Sequence, residues 1–317
     1  MSTPLKLRWV LAHVPYDLFL RSANAFAKAI QEKTNGAIEV EILGKDEWIE
    51  KYNDGKEINN FKLLQILQKG GFEMSQTYST VLGQLNQDYY ALDMPFLFKD
   101  HDHATRVLDG NIGEYLLKKL SHTSGARGLA FTYSGGYKMI AANKKIESIE
   151  DLKNMHLRCG HSPVSKATFE AIGATTEALG VDGFTDAISN EQVDGGENVF
   201  PRYFRSNVNK VTNSVSITNH ALFLTSIIIN KDIWENALTE EQRQLIQECA
   251  QIAAIEERKE SLIDGAAAKK RCLDEGIEVV EWSDEAVDQF KEAVDPIYHQ
   301  FDNFFSDKNL VDRIRKA

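Results

Sequence analysis

Apolar residues fall on alternate positions at Leu5, Leu7, Trp9 and Leu11, set between Lys6, Arg8 and Val10, and this pattern predicts an opening strand. After His13-Val14-Pro15-Tyr16 the period lengthens. Phe19, Ala23, Phe26 and Ile30 share one helical face that Asp17 can cap and Asn35-Gly36 ends. Ile38, Val40 and Ile42 alternate again, so the chain starts as a βαβ unit whose first loop brings His13 to the carboxyl edge of a sheet. Gly44 to Gly55 is charged and irregular and reads as a surface insertion. Ile58, Phe61, Leu64 and Leu67 mark a helix stopped by Gly70-Gly71. Phe72 to Gln76 reads as a strand, and Gln76 and Tyr78 follow its end.

Further along, Leu92 to Phe98 contains Pro95 and reads as extended, buried backbone with no ligand contact. Helical patterns run to Leu120, and Gly128 to Tyr133 and Tyr137 to Ala142 are strands separated by Ser134-Gly135-Gly136, a break expected to carry the chain between domains. Ser148 to Asp151 reads as a capping box, Met155 to Cys159 as a short strand, and Ser162-Pro163 as the start of a helix with Val164, Ala167, Phe169 and Ile172 on one face. A helix begun near Asp182 leads to a strand ending at Val193, where Gly195-Gly196 are expected to turn the backbone before Glu197-Asn198. Residues 198–207 look helical despite Pro201, Val211 to Ile217 suggests strand, and Leu222 to Ile229 is apolar enough for a strand buried on both faces. A second crossing is expected near Asn219 to Phe223. From Thr239 to about Glu275 there is no proline and only Gly265 as a breaker, which predicts one helix of roughly 55 Å at about 1.5 Å per residue. Ile277 to Trp282 gives a last strand, and Phe290 to Phe301 a last major helix.

Arg158 ends its strand before a loop and a helix, which points it out of the carboxyl edge, where open α/β sheets bind ligands. A guanidinium there matches an organic acid or serves a structural salt bridge, and the residue alone leaves both open. Asn198 offers a donor and an acceptor without charge.

With 317 residues, about two domains are expected, and 43% hydrophobic residues suffice for a core in each. The net charge of −11 lacks the electrostatic footprint of a nucleic-acid partner and repels anionic lipid, so attraction of an anion falls to local cations such as Arg158 and Lys138. Cys159, Cys249 and Cys272 form neither a disulfide framework nor a zinc knuckle. His101-Asp102-His103 holds metal-ligating types, but at a helix start they read as solvated surface. Neither a dinucleotide fingerprint nor a Walker loop occurs, and Gly160 to Val164 lacks the final glycine of a nucleophile elbow. No cofactor or metal is indicated.

Four stretches in order, Leu92 to Phe98, Leu157-Arg158, Val193-Asp194-Gly195-Gly196-Glu197-Asn198 and Thr218-Asn219-His220, resemble the extracytoplasmic solute-binding proteins of tripartite ATP-independent periplasmic (TRAP) transporters, the C4-dicarboxylate-binding or DctP-type family. The resemblance covers nearly the whole chain. It implies a two-domain α/β periplasmic-binding-protein-like fold with a central cleft and a long helix spanning both domains, with residues 1–133 plus 223–262 in one lobe and 134–222 plus 263–317 in the other. It carries the carboxylate-binding arginine onto Arg158 and the ligand-binding asparagine onto Asn198. Lys138 stands where several members have a second arginine, His161 where a polar contact often occurs, Gly160 where many have proline, Gly196 for glutamine and Val181 for an aromatic.

Arg158 is thus expected as the carboxylate anchor, Asn198 as the orienting group and Lys138 as an auxiliary cation, with His161, Glu197, Gln76, Tyr78, His13, Tyr137 and Phe223 as further ligand contacts. The resemblance also implies a small organic acid as ligand, closure of the lobes, delivery to TRAP permease subunits, a monomer, and a periplasmic protein whose leader has given way to an initiator Met. Two alternatives stay open: a sensor partner, and an enzyme on the same scaffold using His161 with Glu197 as acid and base.

Overall fold

In the computed structural model, which describes residues 4–13, 17–180 and 183–317, the alternating and helical-period stretches become a mixed α/β chain. In order the elements are β1 (Leu5–Leu11), α1 (Asp17–Thr34), β2 (Ile38–Gly44), α2 (Lys45–Tyr52), α3 (Asn60–Gln68), β3 (Met74–Tyr78), α4 (Ser79–Leu82), α5 (His101–Leu108), α6 (Asn111–Thr123), β4 (Ala126–Tyr137) and β5 (Met139–Ala142). There follow α7 (Ile149–Leu152), β6 (His156–Cys159), α8 (Pro163–Ala171), β7 (Thr175–Ala178), α9 (Phe184–Ser189), β8 (Gly195–Asn198), α10 (Phe200–Arg205), β9 (Ser214–Ile217), β10 (Leu222–Asn230), α11 (Glu240–Asp274), β11 (Glu278–Glu281), α12 (Asp284–Gln300) and α13 (Leu310–Lys316). The chain divides into two units. The first takes residues up to Asn86 with Thr105–Thr132 and Leu224–Glu260, and the second takes Gln87–Ala104, Tyr133–Phe223 and Ser261–Ala317.

The first unit is built on a five-stranded sheet in the order β2-β1-β3-β10-β4. Helical crossovers make β1 parallel to both β2 and β3, whereas β10 enters antiparallel to β3. The apolar stripe of α1 buries Phe19, Ala23, Phe26 and Ile30, with Phe26 against Trp9 at 5.3 Å between ring centroids. Ile227, Ile228 and Ile229 are all fully buried, as a central strand covered on both faces requires. The expected surface insertion after Gly44 is instead helix α2. Its Trp48 and Ile49 are buried, and Trp48 packs on Phe72, so two large apolar residues in a charged stretch are enough to dock it.

The second unit carries a six-stranded sheet in the order β11-β9-β5-β8-β6-β7. Phe184, Val193, Tyr203, Val208, Val215 and Cys272 form one of its cores. Residues 87–104, expected in the other lobe, belong here. Asp88 accepts from the amide and hydroxyl of Ser306, and the Tyr298 hydroxyl donates to the Pro95 carbonyl. Leu92 to Phe98 is buried for the most part but not extended: residues Gln87–Asp93 form a 3-10 helix, and Phe96 takes a left-handed φ of 55° while its amide donates to the His220 carbonyl. Nor is His103 solvated. It is fully buried, with Nε2 2.7 Å from the Ile314 carbonyl of α13, a short helix that the pattern analysis did not predict.

Ser134-Gly135-Gly136 does not interrupt the chain, since β4 runs through it. Gly135 and Gly136 have φ of 108° and 86°, and a Cβ at Gly135 would lie 2.6 Å from Val199 Cγ2, so glycine is required inside the strand. Helix α11 is 35 residues long and passes from the first unit to the second between Glu260 and Ser261 without a break at Gly265. Among the described residues no helix is long and apolar enough to cross a membrane.

Candidate functional site

Strands β6 and β8 of the second unit lie parallel, with Leu157 beside Gly195 and Arg158 beside Gly196. The two glycines do not form the expected turn. They are the first half of β8 itself, and their lack of a side chain lets neighbouring strands close in. A Cβ on Gly195 would lie 2.6 Å from the Ala141 carbonyl, and one on Gly196 would lie 2.5 Å from the Arg158 carbonyl. The narrow strand carries on from Gly196, the register partner of Arg158, into Glu197 and Asn198, the next two residues along β8. On the next turn of chain the Ser162 hydroxyl caps α8 by accepting from the Ser165 amide, with Pro163 opening the helix as the pattern predicts.

Arg158 is 4% exposed. Its Nε donates to the Leu179 carbonyl at 2.8 Å and its Nη1 to the Glu197 carbonyl at 3.0 Å, while the guanidinium carbon lies 5.5 Å from the Phe184 ring centroid. Main-chain acceptors therefore fix the plane of the fork. The Glu197 carboxylate is held separately: Lys138 Nζ donates to Oε2 at 3.0 Å, the Gly160 amide donates to Oε1 at 2.8 Å, and His220 Nε2 lies 3.4 Å from Oε2. Burial opposes ionisation of Glu197, but the Lys138 ammonium and His220 outweigh it and hold the carboxyl well below the usual range. His220 is in turn kept below the ordinary imidazole value by burial, against the pull of Glu197. Its other nitrogen lies 2.7 Å from Thr218 Oγ1.

Beside this pair sits Asp93, from the 3-10 helix. Burial raises its carboxyl to about 6, with Lys138 and the Ser162 hydroxyl pulling it down and Glu197 pushing it up. Its Oδ2 is buried without a hydrogen-bond partner among the described residues. Neither Asp93 nor His220 was assigned a role from sequence. His220 was already legible within the Thr218-Asn219-His220 motif, but nothing local marks Asp93, which reads as core in an apolar run.

Two of the expected ligand contacts have protein partners: Lys138 is 2% exposed and its ammonium donates to Glu197, and each Glu197 carboxylate oxygen accepts a hydrogen bond from the protein. A carboxylate so strongly held in the ionised form is also a poor proton acceptor, which removes the base from the His161–Glu197 pairing of an enzyme. His161 is exposed, and partial burial, followed by the Arg158 charge, keeps its imidazole below the ordinary value. Asn198 is 6% exposed and accepts from the Val199 amide at 2.8 Å. Phe223 lies under the Lys138 ammonium at 5.4 Å, and the Tyr137 hydroxyl donates to the Phe98 carbonyl at 3.3 Å. Val181 and Asp182 lie outside the described residues.

The remaining expected contacts belong to the first unit. His13 is buried, with Nε2 3.2 Å from Thr77 Oγ1, Nδ1 2.8 Å from Asn60 Nδ2, and its ring 4.0 Å from that of Tyr78. Gln76 points inward rather than presenting its amide to solvent: Nε2 lies within 3.0 Å of Thr132, Thr225 and Glu257 oxygens. Burial raises the Glu257 carboxyl to about 8, so it is mainly protonated at neutral pH. Among the described residues no group of three or more His, Cys, Asp or Glu side chains is placed to hold a metal ion.

Residues 14–303 match the family described as bacterial extracellular solute-binding protein, family 7 (DctP). The C4-dicarboxylate-binding periplasmic protein DctP of Rhodobacter capsulatus is 30% identical over 236 residues, covering 74% of this chain and 68% of that protein. A sugar acid binding protein from Advenella mimigardefordensis, solved with galactonate, superposes with a TM-score of 0.87 at 22% identity over 100% of this chain and 98% of that one. A TRAP periplasmic solute binding protein from Sulfurospirillum deleyianum, solved with succinate, gives 0.82 at 24% identity over 99% of each chain.

Proposed function

Since the chain belongs to the DctP family, the solute-binding proteins of TRAP transporters, we propose that it captures a small organic acid with Arg158 as the carboxylate anchor and Asn198 as the orienting group. Proteins of this family are periplasmic receptors that work with membrane permease subunits and are not enzymes. The observation that carries the ligand assignment is the Arg158 guanidinium, whose plane is set by two main-chain carbonyls. A fork fixed by backbone gives up little side-chain freedom when a carboxylate arrives. The Advenella protein holds a monoacid and the Sulfurospirillum protein a diacid, so the proposal at this level is organic acids as a class. One charge-assisted contact contributes about 1.5–3 kcal/mol, whereas micromolar affinity needs about 8 kcal/mol. Asn198, His161 and other polar contacts supply the difference.

The test is a titration calorimetry screen of sugar acids and dicarboxylates, repeated on Arg158→Lys and Arg158→Ala. Arg158→Lys keeps a cation and loses the bidentate fork, so its affinity falls between those of wild type and Arg158→Ala. Wild-type affinity in a folded Arg158→Ala protein would remove the anchor from the proposal.

A further inference from the structure

We infer that the site selects an acid with one carboxylate over an acid with two, because the second cation beside Arg158 is committed to a protein acid and another buried acid stands next to it. The inference rests on the proposed anchoring role of Arg158 and goes beyond it by naming the ligand's charge. Lys138 and Glu197 are each 3% exposed at the side chain and 3.0 Å apart, so they form a closed pair with no charge to offer a ligand. Withdrawing Lys138 toward a second ligand carboxylate would leave Glu197 buried without its ammonium, which is strongly unfavourable.

Asp93 adds repulsion on the same side. It faces Lys138, Glu197 and the Ser162 hydroxyl in the second unit, and the Tyr90 phenol lies near enough to be pushed up to about 12, by burial first and by Asp93 second. Ser162 stands four residues after Arg158, at the start of α8, so the acid sits against the loop that follows the anchor. Among the described groups acting on Asp93, Lys138 is the cation, and Glu197 already holds it. A monoacid places its only charge at Arg158 and meets neither problem, and its other end can be a hydroxyl. A diacid brings a second charge toward a region whose cation is taken and which holds two buried acids, Asp93 and Glu197, beside a His220 imidazole that burial keeps below its ordinary value.

The experiment compares matched probes on the whole chain by calorimetry at pH 8: D-galactonate against galactarate, and 4-hydroxybutyrate against succinate. Each pair differs by a terminal hydroxymethyl in place of a carboxylate. The inference expects the monoacid to bind at least about tenfold more tightly within a pair, equivalent to about 1.4 kcal/mol. Asp93→Asn, or in wild type a fall in pH through about 6, narrows the galactonate-to-galactarate ratio, because either removes the repelling charge. A diacid that binds as well as its monoacid partner overturns the inference and leaves the organic-acid reading standing. A ratio that stays wide in wild type at pH 5 removes Asp93 from it. If none of the four acids binds, while other organic acids do not either, the receptor assignment itself fails and this inference with it.

Discussion

Replacing Glu197 by Gln tests the buried charge arrangement most directly. The substitution is nearly isosteric, and the amide oxygen can still accept from the Gly160 amide, the bond now made at 2.8 Å, so the loop after Arg158 keeps its tether. What is lost is the negative charge opposite Lys138, whose side chain is 3% exposed and cannot reach water without moving. Leaving one member of a buried pair uncompensated costs about 3–5 kcal/mol. At about 2.1 cal/mol/K per residue over 317 residues, that is a fall in melting temperature of about 4–8 °C if the chain melts in one step. The assay is a double-mutant cycle with Lys138→Met, read by urea unfolding at pH 7. Lys138→Met alone strands the carboxylate, whereas the double variant has no buried charge at either position. The double variant is therefore expected to be more stable than the sum of the single losses, with a coupling of at least about 2 kcal/mol. Additive losses would mean that the two groups are solvated independently, and the reasoning about charge at this site would not stand.

Gly196→Ala places a methyl 2.5 Å from the Arg158 carbonyl and 2.8 Å from Arg158 Cβ, so β6 and β8 must part. The expected cost is about 1–3 kcal/mol of stability with weaker acid binding, checked by thermal scanning and calorimetry; an unchanged melting curve would contradict the close approach. Glu257→Gln addresses pH. The folded carboxyl is raised to about 8 from an ordinary value near 4.5, so folding takes up a proton between those limits and wild-type stability falls as pH rises through that window. The variant lacks this term and gains on wild type by up to about 1.4 kcal/mol per pH unit between pH 5 and 8. Glu197 does not interfere there, because a depressed carboxyl contributes stability above its unfolded value and loses it only at lower pH. Parallel wild-type and variant curves would show that Glu257 is ionised throughout.

Much of the fold was legible because it depends on local period. The α1 stripe, the doubly buried β10, the capping box before α7, the Ser162-Pro163 start of α8 and the unbroken α11 each follow from spacing within a few turns or residues. The Asp93 carboxyl, by contrast, became visible only once residues 87–104 were found in the second unit, held by contacts with Ser306, Tyr298 and Ile314 more than 200 positions away. Helix α2 was missed because two anchoring side chains, Trp48 and Ile49, give too weak a pattern to outweigh the charges around them.

By itself, then, the chain determined its α/β character, the order of its elements and the position of Arg158 at a strand end, since periodicity, caps and glycines act over short range. Tertiary structure decided which charges answer one another. Whether Lys138 waits for a ligand or is closed onto Glu197 depends on two side chains 59 residues apart meeting at 3.0 Å out of water, and no local pattern encodes a distance between strands. The same holds for the glycines of β8, which look like a turn in one dimension and prove to be a narrow strand once Ala141 and Arg158 are seen against them.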